Sequence, residues 1–410
     1  MRILFLSNVF PNALAGGKGT FNLSLMQALA ERHDVHVVSP VSWLDELAAR
    51  FQGRRLPRRA SETPAGRLTV EYPRYYYPPK LFRERSGDFL WWSLHPTLSE
   101  RLQHFRPDAV VSYWAHPDGE VAVRAARQAG VPAIVMVGGS DVLLLARRGR
   151  RRRAILNVLH AADAVVAVSH HLARQLHADG IPPEKVHVVH RGVNRQVFSP
   201  GDRRAARERL GLPLDRPVFV AVGRLVPVKG FDLLLDSCRR LAASGRNFEC
   251  HILGGGPLEP ALRSGIARVG LANHVCLHGA QSQTRLADWY RAADLTLLTS
   301  HSEGIPNVLL ESLCCGTPFV ATRVGGVPEI VDEVCDRLVA PGDAAAFAAA
   351  ISERLAAVAV PAQRRFSPPS WEESAGRLAD IIEACRGPGA GDSAAPVEFS
   401  NPKTALCVGA

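Results

Sequence analysis

Short apolar runs recur along the chain. Each ends in a polar, glycine-bearing loop and is followed by a segment with apolar residues at helical spacing. In the first half the runs are residues 2–7, 35–39, 109–112, 133–137, 164–168 and 186–189; in the second they are 217–222, 249–253, 275–277, 295–298 and 318–321. Near-continuous hydrophobic runs of this length predict strands buried on both faces, as in a parallel sheet. The segments between them predict helices; residues 21–32, for example, place Leu23, Met26, Leu29 and Ala30 on one face. The alternation implies an α/β fold of two doubly wound, Rossmann-like domains.

The rhythm breaks in three places. A polar stretch around 194–216, rich in Pro, Asp and Arg, sets a domain boundary near residue 200. The expected units are 1–199, joined by a last helix over 371–385, and 200–365. The tail 387–410 is small, polar and aperiodic, and is expected to be disordered. Between 49 and 90 the pattern fades into Arg54, Arg55, Arg58, Arg59 and an aromatic run over 72–77, with Trp91 and Trp92 just beyond. That region predicts either a surface insertion packed by its own aromatics, or a basic-aromatic edge touching a membrane or a lipid-linked acceptor.

Charge and cysteine usage narrow the class. The chain has 410 residues with 49 Lys and Arg against 39 Asp and Glu, and a net charge of +10. Nearly all the positive charge is arginine, which fits either a GC-rich coding sequence or attraction to phosphorylated ligands and anionic lipid. Basic and aromatic residues do not interleave in a nucleic-acid motif, so no nucleic-acid partner is expected. The run 147–153, arginine at every position but Gly149, predicts a solvated face or, alternatively, a membrane-attracted one. Eight cysteines lack metal-ligand spacing, so they read as reduced thiols of a cytoplasmic protein and no metal is expected. The apolar start 3–6 is too short for a signal peptide, and no run spans a bilayer.

The most informative stretch is 295–331, LTLLTSHSEGIPNVLLESLCCGTPFVATRVGGVPEIV. A buried strand ends in a polar loop with Glu303 and Gly304. A helix then starts near Asn307, with Pro306 before it and Gly316 after it. The first amides of such a helix lack intrahelical partners and attract anions. Two carboxylates, Glu303 before the start and Glu311 one turn inside, repel a bare anion but accept hydrogen bonds from hydroxyls. An anion flanked by hydroxyls on both sides describes a nucleotide sugar.

Gly223-Arg224-Leu225 with Lys229-Gly230, then Gly254-x-Gly256-Pro257, then Glu303-x7-Glu311 occur in that order. Pro117-Asp118-Gly119, Gly139-Ser140-Asp141 and Arg191-Gly192-Val193 precede them. Together they resemble the family 4 glycosyltransferases, retaining enzymes of the GT-B fold, over about residues 1–385. The resemblance implies that Arg224 and Lys229 grip the donor diphosphate, where a fork and a point charge suit a dianionic bridge. It implies that Glu311 accepts from the ribose hydroxyls and Glu303 from the donor sugar. Glu303 also fits a capping acid at the helix start, and the roles are compatible.

Backbone amides of Asn307, Val308 and Leu309 are expected at the phosphate or sugar, the Gly17 backbone at the diphosphate, and the Gln281 backbone at the nucleobase. His116 and Asp141 are expected on the acceptor side, with His116 over the reaction centre. The chain departs from the family pattern twice: Gly138 stands where a histidine is frequent, and Arg191 where an asparagine is common. The expected partners are a UDP- or GDP-sugar, a sugar or lipid-linked acceptor in polysaccharide or glycolipid synthesis, and an anionic membrane surface at the inner face. No cofactor or catalytic metal is expected, since no Asp-x-Asp is present. The alternatives are a same-fold epimerase or phosphorylase, or a non-catalytic sugar-nucleotide scaffold.

Overall fold

The computed structural model describes residues 1–61, 67–79, 81–144, 149–356 and 364–387. The tail from 388 onward and Arg147 and Arg148 of the basic run lie outside the described residues. Two sheets carry the fold. The first has strand order Val186–Val188, Ala164–Ala167, Ala133–Val137, Ala109–Tyr113, Arg2–Leu6, Asp34–Val38, Leu68–Glu71, Arg59–Ser61. All its neighbours are parallel except Arg59–Ser61, which runs antiparallel to Leu68–Glu71. The second runs Val275–Leu277, Glu249–Leu253, Val218–Val222, Leu295–Leu298, Phe319–Thr322, Arg337–Val339, all parallel.

The region 49–90 is a correction in part. Leu68–Glu71 is not a surface insertion but a strand of the main sheet, with Leu68 and Val70 fully buried. Its polar positions hid it. Glu71 lies inside the fold because His36 and Arg101 meet it at 3.4 and 3.1 Å. The rest of that region behaves as a self-packed edge: Tyr75 stacks on Tyr77, and Arg58 and Arg74 both bind the buried Glu46.

The helix Trp371–Arg386 returns to the first sheet, where Ala375, Leu378 and Ile382 join the core with Leu25, Met26 and Leu29. Its start is fixed by a reciprocal capping box between Ser370 and Glu373. A second apolar cluster runs across the two halves, from Val137 and Val168 to Ile305 and Leu309. In both sheets strand order reverses at one point, between Arg2–Leu6 and Ala109–Tyr113 and between Val218–Val222 and Leu295–Leu298. Loops leaving those strand ends diverge and open a crevice, the place where such sheets bind ligands.

Candidate functional site

The loops of the second sheet build the better-defined wall. Strand Val218–Val222 ends in Gly223-Arg224, then a short turn over Pro227–Lys229. The turn carries Lys229 to the neighbouring strand's loop, where its Nζ donates to Glu303 Oε1 at 2.6 Å. Arg224 is exposed and makes no side-chain hydrogen bond or ion pair among the described residues. The arrangement therefore holds one cation neutralised by a carboxylate and one cation open to an arriving anion.

Helix Asn307–Cys314 begins immediately after Pro306 with no side-chain cap. The amides of Asn307 and Val308 have no backbone acceptor among the described residues. The third expected amide is a correction: Leu309 N–H donates to Pro306 O at 3.1 Å, so it is already used in the first turn. Glu311 lies one turn further on and accepts from the Tyr290 hydroxyl at 3.1 Å. Burial pushes its carboxyl up to about 7, against the pull of that hydrogen bond. A carboxyl poised there gains most from hydroxyl donors that arrive with a ligand. Gln281 folds back, its Nε2 donating to His278 O at 2.8 Å.

The first half meets this wall through backbone. A Cβ on Gly304 would stand 2.1 Å from Gly138 O, so only glycine lets the two loops touch there. Glu329, from the end of the 295–331 stretch, reaches across to the helix His170–Ala178 and accepts from the amides of His170 and His171. Those amides and His190 hold its carboxyl below the usual glutamate range although burial pushes the other way.

Arg191 is the third bridge. Its guanidinium lies 4.1 Å from the Phe21 ring centroid, donates to the Tyr113 hydroxyl at 2.6 Å and to Asn307 Oδ1 at 3.1 Å. The two departures from the family pattern are one feature. A Cβ at Gly138 would fall 1.8 Å from the Tyr113 hydroxyl and 3.0 Å from Arg191 Nη2. Tyr113 and Arg191 occupy the space that a side chain at 138 would need.

Of the expected first-half residues, two are buried and one is open. Asp141 is fully buried, and its carboxylate accepts from the amides of Gly138, Gly139 and Ala115, so it shapes the loop. His116 is also buried, with Nδ1 3.5 Å from Ser86 Oγ and Nε2 3.3 Å from Glu120 Oε2, so its ring faces protein and not the crevice. Gly17 is exposed with nothing within 4 Å of a Cβ, leaving open room above the loop. The glycine that the backbone demands there is Gly19, at φ 71°, where a Cβ would meet Val9 O at 2.2 Å. Asp118 is buried beside Asn8 N at 3.1 Å, and burial pushes its carboxyl up to about 8. Beyond these, a cavity of about 330 Å³ opens beside Asn8, Asn12, Lys18, Asp45 and Arg54.

Comparison with known proteins then fixes the family. Residues 202–367 match Glycosyl transferases group 1, and residues 15–197 match Glycosyltransferase Family 4. A protein of Nocardiopsis dassonvillei named D-inositol 3-phosphate glycosyltransferase is 32% identical over 406 residues, 91% of each chain. The chain belongs to glycosyltransferase family 4. The same-named protein of Thermobispora bispora is 38% identical over 244 residues, so this family 4 chain spans about half the length of that relative, 56%.

Solved structures carry the same GT-B fold. The sucrose-phosphate synthase of Thermosynechococcus elongatus superposes with a TM-score of 0.73 at 20% identity, over 95% of this chain and 96% of that one. Alr3699/HepE of Anabaena, solved with UDP, gives 0.67 at 19% identity, over 94% and 97%. In the sequence Arg191 stands in the Arg191-Gly192-Val193 motif and as a departure from the family pattern, with no role of its own, and Tyr113, Tyr290 and Glu329 carry none. Arg191 alone left a signal, because a cation replaced a neutral residue at a patterned position.

Proposed function

We propose that this protein moves a sugar from a nucleoside-diphosphate sugar to a hydroxyl acceptor with retention at the anomeric carbon. The observation that carries this reading is one loop–helix unit: Lys229 paired with Glu303, amides at Asn307 and Val308 with no backbone acceptor among the described residues, and Glu311 one turn in. In this reading Arg224 and Lys229 stabilise the diphosphate as it leaves, replacing water by fixed charge. Lys229 turns from Glu303 to the phosphate, and Glu303 is freed to accept from sugar hydroxyls. Glu311 accepts from the ribose. The new glycosidic bond forms on the face the phosphate departs from, and the acceptor's proton passes to that phosphate. A donor carrying UDP is favoured, because the Anabaena neighbour was solved with UDP.

The acceptor side rests on charge. The cavity beside Lys18 and Arg54 suits an anionic, hydroxyl-bearing acceptor, and the relatives named for D-inositol 3-phosphate fit that chemistry. A phosphorylated polyol is therefore the first acceptor to test. Arg191 adds a cation at the helix start that can meet the donor phosphate. The test is a screen of labelled UDP-, GDP- and ADP-sugars with inositol phosphates or lipid extract. Acceptor-dependent release of the nucleoside diphosphate is expected; no release with any donor, together with no donor binding, contradicts the reading.

A further inference from the structure

Strands Glu249–Leu253 and Val275–Leu277 pair in parallel at the edge of the second sheet, with His251 opposite Cys276. Alternation along a strand puts His278 on the same face as Cys276, and Glu249 on the same face as His251. His251 Nδ1 lies 2.9 Å from His278 Nε2. One ligand atom each from His251, Cys276 and His278 lie within 4.8 Å of one another. Trp289 packs over both imidazoles, with centroids 4.9 and 4.7 Å away.

We propose that His251, Cys276 and His278 form a binding site for a zinc-class divalent cation. Two imidazoles and a thiolate are the ligand set such borderline-soft ions prefer. A tetrahedral ion about 2.0–2.1 Å from each nitrogen holds the two nitrogens roughly 3.3 Å apart, so the ring pair needs to open only slightly. His251 Nε2 faces Glu249 Oε2 at 3.3 Å and has no well-formed hydrogen bond among the described residues. When Nδ1 binds the ion, Nε2–H donates to that carboxylate, the arrangement that orients metal-bound histidines. Cys276 is exposed, which leaves the fourth position to water. Arg285, exposed on the helix Gln283–Ala292, is a cation that acts electrostatically on His278.

The other trio of this kind differs. In His170, His190 and Glu329 the carboxylate already accepts from two helix amides, so it is a structural cap. The edge-strand site does not depend on the transferase reading. An ion there would tie down the strand end that leads to Gln281.

The test uses the untagged full chain, stripped with chelator and titrated with cobalt(II). One equivalent is expected to give tetrahedral d–d bands and a sulfur-to-cobalt charge-transfer band, both displaced by zinc. Cys276→Ser should remove the charge-transfer band, and Glu249→Gln should weaken affinity about tenfold to a hundredfold. Circular dichroism checks that both variants fold. Absence of saturable binding in the wild type, or a charge-transfer band that survives Cys276→Ser, overturns the proposal.

Discussion

Glu311 joins structure to a measurable pH dependence. Its folded pKa, about 7, lies above the ordinary value of 4.5. The unliganded fold thus binds more protons than the unfolded chain between those values, and stability falls as pH rises from 4.5 toward 7. A ribose needs the ionised carboxylate as acceptor. Donor affinity should therefore rise with pH through about 7, and Glu311→Gln should abolish that dependence in calorimetric titrations. Arg191 makes a second claim at this scale. Losing its charge-assisted bonds costs about 1.5–3 kcal/mol. Arg191→Ala should lower kcat/KM about tenfold to a hundredfold, with Arg191→Lys recovering only part, because an ammonium cannot bridge Tyr113 and Asn307 as a planar fork does. Steady-state kinetics on both variants decide this.

Among elements, the strand-to-helix loops were readable from sequence because their signals are local. The run 295–298, Pro306 and Gly316 bracket a strand and a helix with little ambiguity, and Glu303 and Glu311 follow from position alone. The strand Leu68–Glu71 was not readable, since its buried acid is compensated by His36 and Arg101 from other elements. The burial of His116 and Asp141 was not readable for a similar reason: their motifs mark loop geometry, and burial is decided by packing. The His251–Cys276–His278 cluster left no spacing signal, because strand pairing brings its ligands together.

The bridge between loops gives the prediction here. Gly304→Ala should lower kcat, because its Cβ cannot approach Gly138 O, while donor binding to the second wall persists. Equal loss of both in kinetics and calorimetry would argue against the bridge.

Across the whole molecule, charge and shape place surfaces that sequence left separate. Arg150 meets Glu84 at 3.4 Å, and Arg85 lies over Trp92, so the basic run adjoins the edge where Leu81, Phe82 and Trp92 are exposed. No helix among the described residues is long and apolar enough to cross a membrane. Glu329 acts at the same scale by locking one half to the other. Its lowered pKa means the lock is present above the ordinary value of 4.5 and lost as pH falls through the folded value. In the proposed function the unit from Glu303 to Glu311 holds a nucleotide sugar. Calorimetric titration of UDP-sugar into wild type and Glu311→Ala tests it most directly. Saturable binding in the wild type with at least a tenfold loss in the variant is predicted; equal affinity, or no binding to either, contradicts it.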